Sequence, residues 1–256
     1  MLNIVIPMAG RGSRFADAGY SLPKPLIPVR GIPMIRLVIN NLCPMRSHKF
    51  IFICLQEHIN DYNIELLLKR WVPDCDVVPV SHVTEGAACT VLLAKHLFYD
   101  ENPLMVANSD QWVDININDY LISMDNKNAE GWIMSMTAND PKWSYIQFDE
   151  NGKINSVVEK EVVSSEATVG IYNFKRGKDF VEAAEQMIEE GLKVKGEYYV
   201  APAYDQMIKK KNHIGYFNIG DEANGMYGLG IPDDLKLFES LDISLDATKR
   251  IKMSTL

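Results

Sequence analysis

A glycine-rich turn with two arginines follows the first apolar run of the sequence, and a lysine between two prolines lies shortly after it. The turn holds Gly10, Gly12, Ser13 and Arg14, and the lysine is Lys24. Glycines after a first strand let backbone N–H groups approach a phosphate, because no Cβ blocks the way. Arg14 can donate two hydrogen bonds to phosphate oxygens, and Lys24 adds a point charge on a backbone stiffened by its prolines. Two cations beside a nest of amides suit a triphosphate.

Two common phosphate-binding loops do not fit this segment. The sequence has no G-x-x-x-x-G-K-[ST] pattern, and Phe15 stands where the dinucleotide fingerprint requires a third glycine. A glycine turn alone is weak evidence, since many α/β proteins have one for steric reasons. Arg11 is as compatible with a solvated loop residue as with a phosphate contact.

Composition limits the partners. The 256 residues include 26 Lys and Arg against 34 Asp and Glu, a net charge of −8, which argues against nucleic acid or an anionic membrane as the main partner. The four cysteines have no C-x-x-C spacing, which favours buried thiols over disulfides or a zinc site. With neither a signal-like N-terminus nor an apolar run of about 20 residues, the sequence predicts a cytoplasmic protein.

The chemistry-bearing segments must be positioned by alternating strands and helices. Apolar, β-rich runs predict strands at 3–8, 50–55, 76–81, 104–107 and 132–137. Helical spacing predicts helices at 33–42, 58–71 and 87–98. Such alternation indicates an α/β fold with a Rossmann-like, mixed and mostly parallel sheet flanked by helices.

The second half changes rhythm. Residues 145–160 alternate polar and apolar on both sides of Asp-Glu-Asn-Gly, which predicts a β-hairpin, and 167–174 predicts a further strand. Helices follow near 177–190 and 203–210, then a strand at 213–219 and a helix after Pro232. We expect one domain over 1–256, with a nucleotide-binding part at 1–140 and an acceptor-binding part at 141–256.

Three motifs in the first segment carry a family resemblance. A-G-x-G-x-R, then P-K-P-L, then G-x-P-M-I resembles the signature of the sugar-1-phosphate nucleotidyltransferases and related cytidylyltransferases, which have a GT-A-like fold. The resemblance implies triphosphate binding by Ala9, Gly10, Gly12, Ser13 and Arg14. It implies that Lys24 acts at the α-phosphate, so that Lys24 and Arg14 are the expected catalytic residues.

Two further segments match the family. Residues 84–94 resemble the segment that meets the nucleobase, which implies base contacts from Gly86 and Ala87; Ser81 falls near the expected pyrimidine edge. A serine hydroxyl both donates and accepts, so Ser81 cannot distinguish cytosine from uracil. Asp110 follows the apolar strand of 104–107, and the resemblance makes it the Mg²⁺ ligand.

The resemblance also implies an acceptor site. Glu159 and Lys160 match the E-K pair that contacts the hydroxyls or amines and the phosphate of the acceptor. Gly170 would make room for the acceptor, and Glu197 would close its pocket. Each of these residues has a plainer alternative as part of a solvated pair or an ordinary strand.

One departure concerns the metal. Many relatives carry W-x-D-x-G-T-P-x-D-L near the end, with the first aspartate as a second Mg²⁺ ligand, whereas Gly228 stands at that position here. Asp221 or Glu222 could replace the missing carboxylate, or a single metal held mainly by Asp110 could suffice.

The resemblance implies Mg²⁺-dependent transfer of a nucleoside monophosphate to a phosphorylated small molecule, with release of pyrophosphate. In its length and in the sequence of residues 6–27, the chain resembles small bacterial cytidylyltransferases of capsule biosynthesis. We therefore expect CTP as donor and a phosphoglutamine-like, phosphocholine-like or sugar 1-phosphate acceptor. A GT-A glycosyltransferase and a catalytically silent nucleotide-binding homologue are the alternatives, and a homodimer stays open.

Overall fold

Alternating burial along the first strand shows how the sequence builds a sheet covered on both faces. The computed structural model describes residues 1–253, and β1 runs over Leu2–Pro7. Ile4 and Ile6 pack into one core cluster and Val5 into another, because successive side chains of a strand point to opposite faces. Helices on both faces complete the two cores.

Within the described residues, eleven strands form one mixed sheet in the order β5-β4-β1-β6-β11-β8-β12-β13-β7, with β9 against β11 and β10 against β9. The strands after β1 in this sheet are β4 (His48–Leu55), β5 (Asp76–Val80), β6 (Leu104–Ala107), β7 (Gln111–Val113), β8 (Gly131–Thr137), β9 (Ser144–Phe148), β10 (Ile154–Glu159), β11 (Glu166–Phe174), β12 (Ile214–Glu222) and β13 (Gly225–Gly228). β2 (Pro28–Val29) and β3 (Ile32–Pro33) form a separate small hairpin.

The helices follow the strands along the chain. They are α1 (Ser13–Asp17), α2 (Met34–Leu42), α3 (Gln56–Tyr62), α4 (Ile64–Trp71), α5 (Ala87–Leu92), α6 (Ile117–Lys127), α7 (Gly177–Glu189), α8 (Ala203–Lys209), α9 (Pro232–Ser240) and α10 (Ile243–Met253), with 3₁₀ turns at Lys24–Leu26 and Lys95–Leu97. None of the helices in the described part of the chain is long and apolar enough to cross a membrane.

The expected α/β fold is confirmed. Strands β5, β4, β1 and β6 are parallel neighbours, and β11 runs antiparallel between β6 and β8. The hairpin expected at 145–160 is β9 and β10. The parallel block brings the carboxyl ends of β1 and β6 to one edge, where the glycine turn and Asp110 follow them.

Several elements differ from the predictions. The helix expected over 58–71 is two helices, because Asn63 adopts a left-handed conformation (φ +52°) between α3 and α4. The helix expected over 87–98 ends at Leu92. The sequence analysis placed no element at β7, α6, β13 or α10; β7 and β13 are three and four residues long and pair with each other, which local pattern does not reveal.

The expectation of buried thiols holds for two of the four cysteines. All four are free, and Cys54 and Cys75 are buried. Burial raises the pKa of the Cys54 thiol to about 12 and that of Cys75 to about 11, so both stay protonated at neutral pH.

Candidate active site

A cavity of about 460 Å³ lies at the carboxyl ends of β1 and β6. Nine of the residues that the sequence analysis assigned to nucleotide, catalysis or metal line it: Ala9, Gly10, Gly12, Ser13, Arg14, Lys24, Gly86, Ala87 and Asp110. Arg11 is exposed and does not line this cavity. Parallel strands collect their C-terminal loops at one edge, which is where ligands of open α/β sheets bind.

The glycine turn is shaped by Gly12. This residue adopts a left-handed conformation (φ +62°) and is the N-cap that precedes α1. A Cβ at Gly12 would lie 3.0 Å from the Cβ of Lys24, so the glycine lets the lysine segment pack against the turn. A Cβ at Gly10 would meet nothing within 4 Å, which leaves open space on the cavity side of the turn.

Lys24 and Asp110 both line the first cavity and are in direct contact. Its Nζ donates to Asp110 Oδ2 at 2.8 Å, and each side chain is less than one quarter exposed. Pro23 sets an extended backbone (φ −62°) before the short 3₁₀ turn, and Pro25 is buried within it. The lysine is therefore held at a fixed place, and its carboxylate partner neutralises it when no phosphate is near.

The segment around Gly86 is held by hydrogen bonds to Tyr198, a residue distant in the sequence. Tyr198 N donates to Glu85 O at 2.8 Å, and Ala88 N donates to Tyr198 O at 3.1 Å. Gly86 has φ +131°, and a Cβ there would lie 2.4 Å from Tyr198 O, so only glycine fits this crossing. The docking of Tyr198 also brings Glu197 to this first cavity and not to the acceptor cavity for which the sequence analysis proposed it.

Ser81 lies elsewhere than the sequence analysis proposed. Its side chain is exposed, its Oγ is 2.9 Å from His82 Nδ1, and it lines none of the cavities described here. Near Gly86 the first cavity is lined by Thr84 and Thr90, whose Oγ1 atoms are 2.6 Å apart. β5 ends at Val80, and the turn after it carries Ser81 outwards before the chain returns at Thr84. The T-E-G spacing before α5 was the available sequence signal for Thr84.

A second cavity of about 180 Å³ contains the predicted acceptor residues Glu159, Lys160 and Gly170. The Glu159 side chain is only 4% exposed; Ser144 donates to its Oε2, and Lys160 Nζ lies 3.4 Å from its Oε1. The Lys160 ammonium also lies 4.7 Å from the ring centroid of Tyr199. Burial opposes the charged lysine, but its hydrogen bonds to Tyr199 and Glu159 and the negative charge of Glu159 outweigh burial and raise the pKa of Lys160.

Gly170 marks an irregularity of β11 beside this cavity. It has φ +79°, and the pairing of β11 with β8 shifts register between Thr168 and Tyr172. A Cβ at Gly170 would lie 2.2 Å from Asn108 Nδ2, so the missing side chain lets Asn108 enter.

A third cavity of about 530 Å³ connects the other two. It shares Arg14, Asp110 and Gly230 with the first, and it shares Asn108, Lys142, Trp143 and Lys160 with the second. The three cavities are therefore continuous, and all of the predicted nucleotide and acceptor residues except Ser81 line them. Trp143 also lines the third cavity, together with Asn108 and Gln111, which sequence analysis missed.

The carboxylate beside Gly228 is that of Asp234. A Cβ at Gly228 would lie 3.0 Å from Asp234 Oδ2, and Asp234 lines the third cavity with Asp110. Burial, and secondarily neighbouring carboxylates that include Asp110, raise the pKa of Asp234. Neither of the candidates that the sequence offered, Asp221 and Glu222, lines this cavity; Glu222 accepts from Lys142 Nζ at 2.6 Å.

The chain is similar in sequence to known proteins. The profile of the nucleotidyl transferase family matches residues 4–219. The catalytic subunit beta of mannose-1-phosphate guanylyltransferase from Dictyostelium discoideum is 25% identical over 90% of this chain and 64% of its own length. The bifunctional protein GlmU from Methanococcus aeolicus is 24% identical over 98% of this chain and 56% of its own length. This chain thus spans a little over half the length of these relatives.

Solved structures agree in fold. A nucleoside-diphosphate-sugar pyrophosphorylase from Vibrio cholerae superimposes with a TM-score of 0.80 and 25% identity, covering 93% of this chain and 100% of that one. The inositol-1-phosphate CTP transferase from T. maritima shares the fold, with a TM-score of 0.72 at 13% identity, covering 98% of this chain and 96% of that one. With a matching family profile over most of its length and this cleft at the strand ends, the chain belongs to the nucleotidyl transferase family.

Proposed function

We propose that this protein transfers CMP from CTP to a phosphorylated small molecule and releases pyrophosphate. The observation that carries the proposal is the ion pair of Lys24 and Asp110. It lies beside the glycine turn, where the first cavity joins the third. A triphosphate on one side and a phosphorylated acceptor on the other would meet at this pair.

The reaction needs alignment more than a base. An acceptor phosphate oxygen attacks the α-phosphorus, the bond from the α-phosphorus to the bridging oxygen of the β-phosphate breaks, and pyrophosphate leaves. The acceptor phosphate has a second pKa of about 6 and is already ionised at neutral pH. Two polyanions repel each other, so Arg14, Lys24 and the amides of the glycine turn must neutralise charge where the phosphates meet. Lys24 would leave Asp110 for the α-phosphate as the nucleotide binds.

Mg²⁺ is the metal that we propose for this site. Asp110 and Asp234 present carboxylate oxygens to one cavity, which are the ligands Mg²⁺ prefers. The described part of the chain has no group of three or more Asp, Glu, His or Cys residues able to hold a metal, so phosphate oxygens would complete the coordination. When bound, the ion offsets the charge of the triphosphate. Such a site suits Mg²⁺, which usually binds through one or two carboxylates and substrate phosphates.

The base and the acceptor rest on the sequence resemblance to small cytidylyltransferases. Thr84 and Thr90 hydroxyls in the first cavity can both donate and accept, so they are compatible with cytosine and do not select it. Glu159 and Lys160 are proposed to hold a phosphoglutamine-like, phosphocholine-like or sugar 1-phosphate acceptor in the second cavity. We propose a cytoplasmic role in capsule or surface polysaccharide biosynthesis.

The proposal is tested by pyrophosphate release. ATP, CTP, GTP, UTP and dTTP are each combined with Mg²⁺ and a panel of sugar 1-phosphates, phosphocholine and phosphorylated amino acids or amides. Release with CTP and a small non-sugar phosphate is the expected result. Release with a sugar 1-phosphate and another nucleotide would overturn the proposed donor and acceptor but would support nucleotidyl transfer. Nucleotide binding without any release would favour a silent homologue, and hydrolysis or transfer from a nucleotide sugar would favour a GT-A glycosyltransferase.

A further inference from the structure

Two buried hydrogen-bond donors in the third cavity have no partner. Gln111 is 7% exposed, and its Nε2 makes no hydrogen bond within residues 1–253. The indole Nε1 of Trp143 is likewise buried and without a partner in the described chain. Both residues line the cavity between Asp110 and the acceptor pair. Buried donors are nearly always satisfied in folded proteins, so two in one cavity point to a ligand group that accepts from them.

Neighbouring backbone limits how far these donors can move. Gln111 begins β7 and pairs with Gly228 of β13, and a Cβ at Gly170 would lie 2.9 Å from Gln111 Oε1. The carboxamide is thus enclosed on the side of its oxygen. Trp143 N donates to Asp140 O, and its own carbonyl accepts from Lys160 N at 3.0 Å. The indole donor is therefore linked to the backbone of a predicted acceptor residue.

The cavity around the donors contains a lysine that has no carboxylate partner in the described part of the chain. Lys142 Nζ lies 2.6 Å from Glu222, and Lys160 Nζ lies 3.4 Å from Glu159, so both lysines have carboxylate partners. Lys195 also lines the cavity, and within the described residues no carboxylate lies within ion-pair distance of it. The free carboxylate of the cavity, Asp234, is adjacent to Gly228 and belongs to the metal side of the cleft in the function proposed above.

We infer that the acceptor carries a carboxylate in addition to its phosphate, and that Gln111 Nε2 and Trp143 Nε1 donate to it. An ionised carboxylate only accepts hydrogen bonds and has two oxygens, which matches two donors that cannot accept. A sugar hydroxyl can also accept hydrogen bonds, but it brings a donor of its own and carries no negative charge. Lys195 adds the charge that an extra anion requires. The inference rests on the proposed nucleotidyl transfer, because it assigns this cavity to the acceptor.

The test uses acceptor pairs that differ in the carboxylate. Phosphoserine is compared with phosphoethanolamine, and glucuronic acid 1-phosphate with glucose 1-phosphate. The affinity of the full-length protein for each compound is measured by calorimetry with CTP and without metal, and pyrophosphate release is measured separately with Mg²⁺. In at least one pair, the compound with the carboxylate is expected to bind at least about tenfold more tightly, on the scale of one charge-assisted hydrogen bond.

Two matched variants assign the effect to the donors. Gln111→Leu and Trp143→Phe each replace a hydrogen-bond donor by an apolar side chain. Each variant should reduce the preference for the carboxylate compound to about threefold or less. Gln111→Glu places a like charge at the same position and should abolish it. Titration with CTP checks that every variant is folded.

The outcomes separate this inference from the function itself. A preference below threefold in both pairs, or no binding of any of the four compounds, overturns the carboxylate assignment. A preference that survives in Gln111→Leu and Trp143→Phe also overturns it. Pyrophosphate release from glucose 1-phosphate without any preference would support nucleotidyl transfer and reject the carboxylate. A clear preference in binding without release from any acceptor would keep the recognition site and reject the proposed reaction.

Discussion

Lys24 Nζ and Asp110 Oδ2 lie 2.8 Å apart, although the two residues are 86 positions apart in the sequence. The lysine comes from a rigid 3₁₀ turn and the aspartate from the loop after β6. Asp110 lines both the first and the third cavity, so their ion pair places one positive and one negative group where these two cavities join. The positive group suits the transferred phosphoryl, and the negative group suits a metal ion.

Replacing Lys24 tests the catalytic side of this pair. Lys24→Ala is expected to lower kcat by about 10²-fold or more, which is the usual loss for one preorganised charge contact to a transition state. Steady-state pyrophosphate release measures it. Lys69→Ala is the control, because Lys69 pairs with Glu65 on the exposed side of α4. Near wild-type turnover in Lys24→Ala would remove Lys24 from the mechanism.

The glycine at position 12 positions the lysine. Gly12→Ala adds a Cβ 3.0 Å from Lys24 Cβ in a left-handed backbone, which costs about 1–2 kcal/mol and displaces the lysine segment. We expect kcat to fall by about 10²-fold, the loss that a 1 Å misplacement can cause. Gly19→Ala is a matched control: Gly19 also has a positive φ, +86°, but a Cβ there meets nothing within 4 Å. Equal losses of kcat in both variants would show that general backbone strain, and not the Lys24 contact, is responsible.

Asp234 is expected to compensate for Gly228 in metal binding. Asp234→Asn should raise the Mg²⁺ concentration for half-maximal activity about tenfold, within the range seen when a metal site loses a supporting group. Calorimetric titration of Mn²⁺ into the CTP complex provides a readout that does not depend on turnover. Asp233→Asn is the control, because Asp233 is exposed and 3.5 Å from Lys236. An unchanged metal dependence in Asp234→Asn would leave Asp110 as the carboxylate that acts alone.

Asp205 predicts a pH dependence of stability. Its carboxyl group accepts from Val157 N at 2.7 Å, and burial raises its pKa above the ordinary 3.8. A raised folded-state pKa means that the folded protein binds the proton more tightly than the unfolded chain does. The free energy of unfolding therefore falls as the pH rises from the ordinary pKa of 3.8 through the raised pKa. At neutral pH the full cost of burying the ionised carboxylate is present.

Asp205→Asn removes this titration and can keep the hydrogen bond from Val157. We expect the variant to match or exceed the wild type in urea unfolding at pH 7, and to lose its advantage as the pH falls towards 4. Asp233→Asn again serves as the exposed control. A difference between Asp205→Asn and wild type that does not change with pH would contradict the assignment.

Much of the nucleotide side of the cleft could be predicted from local pattern. Apolar runs identified β1 and β6, and the loops that follow parallel strands must meet at the same sheet edge. Gly10, Gly12, Lys24 and Asp110 therefore line one cavity, as the motif spacing indicated. The hairpin of β9 and β10 was equally visible from its alternation and its turn.

The acceptor side could be predicted less well, because remote segments build it. Glu197 was proposed for the acceptor, but the hydrogen bonds of Tyr198 to the segment at Gly86 carry it to the first cavity. Ser81 was proposed for the base, but it lies on an exposed turn. Gln111 and Gly228 face each other only because two very short strands pair at the end of the sheet.

The sequence by itself determined the α/β alternation, the glycine turn after β1, the rigid lysine and the carboxylate that follows β6, since each depends on neighbours within a few residues. Only the tertiary structure decided that Lys24 pairs with Asp110, that Asp234 lies beside Gly228 and that Gln111 and Trp143 share a cavity. These relationships depend on sheet order and on the register between distant strands. Burial of the whole chain selects them, and no local pattern encodes them.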